Sequence, residues 1–292
     1  MVMYRPPFES GSFLLEVTRG CSHNRCSFCS MYRDVPFEVL PEDEVVRQLR
    51  ARTALRPRTR RVFLENGDPF TLSAVRLLRI AELVRKYLPV VNTIAMYASV
   101  KNVATKTDAE LRALAEAGID DLNIGIETGY DPALAHMNKG YTAAEARRQL
   151  LRLNAAGIHW GANIILGIAG EGFGRQNAHA TVELLNATQP NLIFTGTIHT
   201  EPDCPLHAEM QSGAFVEPTL GEYLDEEEDL LSDLNMDDCL LFGLHPSNIV
   251  LLEGRLNKDR EKLLAKLRAT REEYADELGM RPLRGAEGMV GF

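Results

Sequence analysis

Three cysteines, Cys21, Cys26 and Cys29, fall within one stretch, Thr18 to Tyr32 (TRGCSHNRCSFCSMY), and the chain holds only two others. Thiolates at this density ligate metal. Sulfur donors suit zinc or an iron–sulfur cluster, and the number of ligands decides between them. Three is the informative count: a cubane cluster held by three thiolates keeps one iron without a protein ligand, free to take a substrate or cosubstrate. His23, inside the same loop, offers a competing arrangement in which Cys21, His23, Cys26 and Cys29 close a tetrahedral zinc site. A ferredoxin-like carrier needs a fourth cysteine nearby, and Cys204 lies far along the chain.

The elements that must position this loop form a repeat. SFLLEV at 12–17 is an apolar run ending just before it. Pro41 with Glu42, Asp43 and Glu44 opens a helix, because proline fits the first turn and acids suit the positive end. Further strands are predicted at RVFL 61–64, NTIAMYA 92–98, LNIGI 122–126, ANIIL 162–166 and NLIFTGT 191–197. Helices follow through LSAVRLLRIAELVRKY, from the capping box Thr107–Glu110 to Gly118, from Thr142–Glu145 to Gly157, and near 176–188. Thr219–Glu222 starts an acid-rich helix, and 257–277 forms a last one.

Six strands alternating with helices imply parallel βα units with right-handed crossovers. None shows clean polar–apolar alternation, as expected when both faces are covered. A full eight-fold barrel takes about 250 residues and the repeat here covers about 200. The expected fold class is therefore α/β, a partial (β/α)6 TIM-like barrel with C-terminal helical additions. A doubly wound sheet is the alternative, but no G-x-G-x-x-G follows the first strand. No linker divides the chain; a core domain is expected over 10–245, with a helical extension over 246–292 packed on it.

The 292-residue chain is 45% hydrophobic and 25% charged, which is globular. Its net charge of −9 argues against a broad nucleic-acid footprint. No apolar run is long enough for a membrane, and MVMYRPPFES lacks the pattern of a secretory signal. Five cysteines with three clustered do not make a disulfide framework, so a cytoplasmic location is expected.

The C-x4-C-x2-C cysteines after the first strand of a βα repeat, with Phe28 just before the last, resemble the radical S-adenosylmethionine (radical SAM) superfamily. Its usual spacing is C-x3-C-x2-C. The likeness is closest to the branch that includes coproporphyrinogen dehydrogenase, the methylthiotransferases and the cobalamin-dependent enzymes. It implies that Cys21, Cys26 and Cys29 hold a 4Fe-4S cluster whose open iron chelates the amino and carboxylate groups of S-adenosyl-L-methionine. An electron then breaks a sulfonium carbon–sulfur bond, and the resulting 5′-deoxyadenosyl radical abstracts hydrogen from an unactivated position. The protein's task is to place the radical carbon and exclude water.

The resemblance also assigns strand-end residues. Glu65-Asn66-Gly67-Asp68 occupies the place of the family's G-G-E, so Asp68 would accept the SAM amino group and Gly67 offer its carbonyl; Asn-Gly-Asp-Pro is equally a strong turn. Ser99 lies where relatives place a polar residue near SAM, or is a loop serine. Glu127, in a match to G-x-E-S-G, either serves the cofactor or forms an ion pair with Lys139 or an arginine, since burying it unpaired is costly. Lys139 falls where relatives pair the SAM carboxylate, or is a solvated loop lysine. Asn163 to Glu171 resembles G-x-I-x-G-x-x-E with the glutamate one place late. Asn163 would meet the ribose, while Ile165 and Ile168 pack on adenine or serve as core; Phe28 joins the cofactor-binding set.

His199 to His207 is the substrate-side candidate. Cys204 could give a hydrogen atom to a product radical, although packing is the commoner fate of a free cysteine. Cys239 reads as core, and His245 could reach the open end of the barrel or be a loop histidine. The basic stretch from Arg47 to Arg61 is a solvated helix face, an RNA contact, or a dock for an acidic electron donor such as flavodoxin or ferredoxin. The function implied is hydrogen abstraction from a small molecule or cofactor precursor, leading to oxidation, rearrangement or elimination. A non-catalytic iron–sulfur or SAM-binding carrier or chaperone, and a tRNA-modifying radical SAM enzyme, are the alternatives.

Overall fold

Capping chemistry fixes the helices of the repeat. The computed structural model describes residues 5–55, 58–284 and 290–291. Helix α1 (Glu42–Leu55) begins with three acids at its positive end and buries Val45 and Leu49. In α2 (Ala74–Tyr87), the Ser73 hydroxyl accepts the Arg76 N–H at 3.3 Å. Reciprocal boxes start α3 (Asp108–Glu116) from Thr107 and Glu110, and α4 (Ala143–Ala156) from Thr142 and Glu145. Helix α5 covers Gly174–Thr188. Thr219 and Glu222 box α6 (Leu220–Asp233), and α7 spans Arg260–Glu273.

The main sheet holds β1 (Phe13–Glu16), β2 (Arg61–Glu65), β3 (Thr93–Ala98), β4 (Asp121–Glu127), β5 (His159–Leu166), β6 (Leu192–Thr197), β7 (Leu240–Gly243) and β8 (Leu252–Arg255). Strand order follows chain order. A doubly wound sheet reverses its order at a switch point; this one does not, and it is the mostly parallel sheet of a partial TIM-like barrel.

The chain forms two compact units. The first comprises Met1–Asn24, Met31–Gly125 and Arg148–Trp160. Within it β1, β2, β3 and β4 pair in parallel, with Glu16 beside Glu65 and Tyr97 beside Asn123. The Arg52 guanidinium of α1 lies 4.9 Å over the Phe13 ring, which puts Phe13 and Leu15 on the helix side of β1. Leu14 and Glu16 therefore belong to the opposite face.

The second unit comprises Arg25–Ser30, Ile126–Arg147 and Gly161–Phe292. Strands β5, β6 and β7 pair in parallel and β8 joins antiparallel to β7. A core of Met137, Leu166, Ile168, Leu206, Phe215 and Tyr223 lies in this unit. Strands β7 and β8 go beyond the six expected. Each has only four residues, and a short apolar run such as Leu240–Gly243 has no periodicity to separate strand from other core. Cys239, just before β7, is fully buried as expected. Strand β8 adds sheet to the stretch from 246 onward, which the sequence suggests is helical. Among the described residues no helix is long and apolar enough to cross a membrane.

Candidate active site

In the first unit the turn after β2 is seated on the backbone that leads into Cys21. Gly67 has φ +97°, and a Cβ there would lie 1.7 Å from the Gly20 carbonyl oxygen and 3.3 Å from the Cys21 nitrogen. Only glycine permits that approach. The Thr18 hydroxyl donates to the Asn66 carbonyl at 3.1 Å, tying the same two segments.

Asp68 is 5% exposed, and one of its oxygens accepts from the Ser22 hydroxyl and from the Asn102 amide at 3.4 Å. Burial pushes its carboxyl above the usual range, against the opposing hydrogen bonds from Ser22 and Asn102. Ser99 is a helix cap. Its hydroxyl accepts the Asn102 N–H at 3.2 Å while Asn102 Oδ1 accepts the Ser99 N–H at 2.8 Å, opening the short helix Val100–Ala104. The polar group that this strand end sends to Asp68 is therefore Asn102, which sequence reasoning missed. Its signal was the S-x-x-N spacing of a capping box. Buried Lys106 donates to the Phe70 carbonyl at 2.6 Å and lies 4.3 Å over its ring, with burial pulling its pKa down to about 8.

In the second unit Lys139 Nζ donates to Glu127 Oε1 at 2.8 Å, and both residues are 8% exposed. Of the two readings of Glu127, the ion pair is the one the structure contains. Glu127 also sits at φ +65°, a conformation uncommon outside glycine and asparagine. Burial alone would lower the Lys139 pKa; Glu127, then Tyr141 and Cys26, hold it well above the ordinary value. Its ammonium lies 6.0 Å from the Phe28 ring centre and 5.8 Å from that of Tyr141.

The loop carrying Cys26 and Cys29 is anchored from several sides within this unit. The Ser27 N–H donates to the Met137 carbonyl at 3.1 Å, and Asn138 Nδ2 donates to the Arg25 carbonyl at 2.9 Å. The Leu206 N–H donates to the Ser27 carbonyl at 3.0 Å, and the Cys204 thiol to the Phe28 carbonyl at 3.2 Å. Cys204 is 2% exposed. The thiol is directed at a backbone acceptor here. The packing reading fits the geometry.

Ile168 is core, while Phe28 and Ile165 pack half-buried at the margin of the same cluster. Asn163 is half-buried, and its side-chain amide makes no hydrogen bond to another described residue. Gly167 has φ +75°, and a Cβ would meet the Tyr223 ring at 2.2 Å. Its N–H donates to Glu226 Oε2 at 3.0 Å; Asn177 Nδ2 donates to Glu226 Oε1 at 2.6 Å, and the Thr128 hydroxyl to Asn177 Oδ1 at 2.5 Å. One buried relay thus fixes the loops after β4 and β5. Burial raises the Glu226 carboxyl to about 7 and that of its neighbour Glu227 to about 8. Sequence reasoning instead looked to Glu171, which forms an exposed pair with Arg281 at 2.5 Å.

His245 has a partner, the Ser247 hydroxyl of its own turn at 2.7 Å, and burial lowers its pKa. Much of the basic stretch is engaged: Arg47 pairs with Glu44 at 2.5 Å, and Arg61 with Glu9 at 2.5 Å and Asp121 at 2.8 Å. Arg58 and Arg60 are exposed, and Arg56 lies outside the described residues.

Cys21, Cys26 and Cys29 are each half-buried. Among the described residues no three His, Cys, Asp or Glu side chains converge on a point that could hold a single metal ion. Three thiols at close to the spacing of the family's ligands suit a cluster.

The sequence matches the family model of the radical SAM superfamily over residues 15–180, more than half of the chain. No protein of curated function matches it. Among solved structures, the radical S-adenosylmethionine methyltransferase TsrM from Kitasatospora setae is similar with a TM-score of 0.54 and 16% identity, over 69% of this chain and 37% of that one. Methylornithine synthase (PylB) gives 0.53 and 15%, over 94% and 83%. The archaeal Elp3 of Methanocaldococcus infernus gives 0.57 and 11%, over 91% and 64%. These likenesses show the fold, and the chain spans 37% of the length of TsrM. The family implies a 4Fe-4S cluster, S-adenosylmethionine and a source of reducing electrons. The chain belongs to the radical SAM superfamily of enzymes.

Proposed function

We propose that Cys21, Cys26 and Cys29 hold the cluster and that the chain acts on a small molecule or cofactor precursor by hydrogen abstraction. A cluster held by these three cysteines would supply the electron for cleavage of bound S-adenosylmethionine, the source of the hydrogen-abstracting chemistry. The observation that carries this reading is the seat of Gly67 on Gly20–Cys21, with Asp68 bonded to Ser22 next door. It couples the turn that would receive the SAM amino group to the first cluster ligand.

In this reading Asp68 and the Gly67 carbonyl take the amino group, with Asn102 orienting Asp68. Lys139, charged through its pairing with Glu127, takes the carboxylate. Asn163, with an uncommitted amide, meets the ribose, while Ile165 and Phe28 offer apolar surface to adenine. The core domain is 10–245, with 246–292 packed on it, and a flavodoxin or ferredoxin delivers electrons.

The test is anaerobic reconstitution, reduction with dithionite and measurement of 5′-deoxyadenosine. None above the no-enzyme background from a protein with an intact cluster defeats the enzyme reading and leaves a non-catalytic carrier. Cys26→Ala should lose both iron and cleavage. Reversing Arg58 and Arg60 to Glu should slow reduction by flavodoxin but not by dithionite; equal slowing or none removes the docking role.

A further inference from the structure

Beyond the proposed cofactor contacts, a row of polar side chains crosses the first unit, and part of it lacks a partner among the described residues. Glu16 lies beside Glu65 in the β1–β2 register, Leu64 beside Met96 carries Glu65 alongside Tyr97, and Tyr97 lies beside Asn123. The four therefore form one line across four neighbouring strands. They share the face opposite α1, because Phe13 is on the helix side of β1 and Glu16 is out of phase with it. The Phe63 ring, two residues before Glu65, meets Tyr97 edge-on at 5.2 Å on the same face.

Glu65 is 4% exposed and Asn123 3%. Glu16 is compensated: Arg19 donates to both its oxygens at 3.0 and 2.9 Å, and Asn66 Nδ2 adds a bond at 2.5 Å. Glu65 feels the Arg5 charge but gains no hydrogen bond from it: among the described residues its Oε2 and the neighbouring Asn66 Oδ1 are buried without a hydrogen-bond partner. Neither the Tyr97 phenol nor the Asn123 amide bonds to another described residue. Orphaned buried polar atoms are costly, and native proteins keep few of them without a reason.

Both orphans are acceptors, so the missing partner is a donor. One of them belongs to a buried carboxyl group that Arg5 reaches through its charge but not through a hydrogen bond. An alkylammonium group is donor-only, carries three N–H bonds that can reach both orphaned acceptors, and brings positive charge to the carboxyl itself. A hydroxyl would fill one bond and bring no charge to the carboxyl. We infer that this row recognises the substrate, and that the substrate carries a protonated primary amine seated against Glu65 Oε2 and Asn66 Oδ1. Tyr97 and Asn123 serve a second polar group of the same molecule. The buried Glu65 carboxyl, pushed up to about 7 by burial and then by Glu16 against the opposing charge of Arg5, is a group that a hydrogen-bonded ammonium would hold ionised.

This rests on the radical SAM reading of the site, and its test is separate from cleavage. Reconstituted protein saturated with S-adenosylmethionine is titrated with putrescine and, in parallel, with butane-1,4-diol, using ligand-observed NMR. Putrescine should bind at least about tenfold more tightly than the diol, the scale of one charge-assisted hydrogen bond. Glu65→Gln, checked for folding by circular dichroism, should erase most of that preference. Equal binding of diamine and diol by the wild-type protein overturns the inference without any variant. So does a preference that survives in Glu65→Gln, or one that appears only in a parallel titration without S-adenosylmethionine, which would assign the acceptors to its own amino group. Absence of 5′-deoxyadenosine from the wild-type protein would instead strike the reading of the function, leaving the binding result to stand or fall separately.

Discussion

Replacing Gly67 by alanine, with Gly157→Ala as its control, separates a backbone strain from a displaced cluster loop. Both glycines have positive φ, +97° and +75°, so each substitution carries a conformational cost of about 1–2 kcal/mol. At Gly157 nothing lies within 4 Å of the added Cβ, and the cost should stop there. At Gly67 the Cβ would stand 1.7 Å from the Gly20 oxygen, an overlap with backbone that no side-chain rotation relieves. Overpacking of this kind adds about 1–3 kcal/mol, so Gly67→Ala should lose about 2–5 kcal/mol in all. Urea unfolding measures both variants. The sharper readout is iron after anaerobic reconstitution, without denaturant and with native circular dichroism. The segment that must yield is Gly20–Cys21, so Gly67→Ala should lose iron while Gly157→Ala keeps the wild-type content. If Gly67→Ala retains full iron and is no less stable than the control, the turn after β2 does not set the position of Cys21 and the reasoning fails.

Lys139→Met should cost about 3–5 kcal/mol, because it strands a buried Glu127 carboxylate, and adding Glu127→Gln should restore most of it in urea melts. If the pair also serves the cofactor, the double variant will recover stability without recovering S-adenosylmethionine binding by calorimetry. Ser99→Ala should lose about 1 kcal/mol as a helix cap with little change in that affinity, whereas Asn102→Ala should weaken it; an equal loss of affinity in both would assign a direct role to Ser99. Glu226 and Glu227 have folded pKa values raised to about 7 and about 8, so the native state binds more protons than the unfolded chain. Stability should therefore fall as pH rises through that window, and Glu227→Gln should flatten the dependence by roughly 2 kcal/mol or more between pH 5 and 8, read from melts across pH.

Local signals were legible where the physics is local. The capping boxes at Thr107, Thr142 and Thr219 appear where spacing puts a hydroxyl and a carboxylate on the same first turn. Apolar runs between those helices located all six βα strands. Strands β7 and β8 escaped because four residues carry no usable period. The same limit appears in the acid-rich helix α6, whose composition suggests a solvated surface while Glu226 and Glu227 are buried. Burial there depends on α5 lying against it, and Asn177, the partner of Glu226, is 49 positions away.

That separation shapes the candidate site as well. The cysteine spacing identified the chemistry because ligand number is written in a few consecutive residues. What holds those residues comes from elsewhere: Gly67 beneath Cys21, and the Leu206 N–H and the Cys204 thiol on the loop of Cys26 and Cys29. Cys204 is instructive, since its place near the site was anticipated but not its orientation. A thiol 2% exposed and aimed at a carbonyl braces a loop, whereas the same residue turned outward would be a candidate donor. Sequence position supplies proximity only through a fold, and chemistry depends on direction. The row from Glu16 to Asn123 extends this argument, because no two of its members are close in sequence. Parallel register aligns them, and the orphaned acceptors at Glu65 and Asn66 then become visible as a demand for a donor.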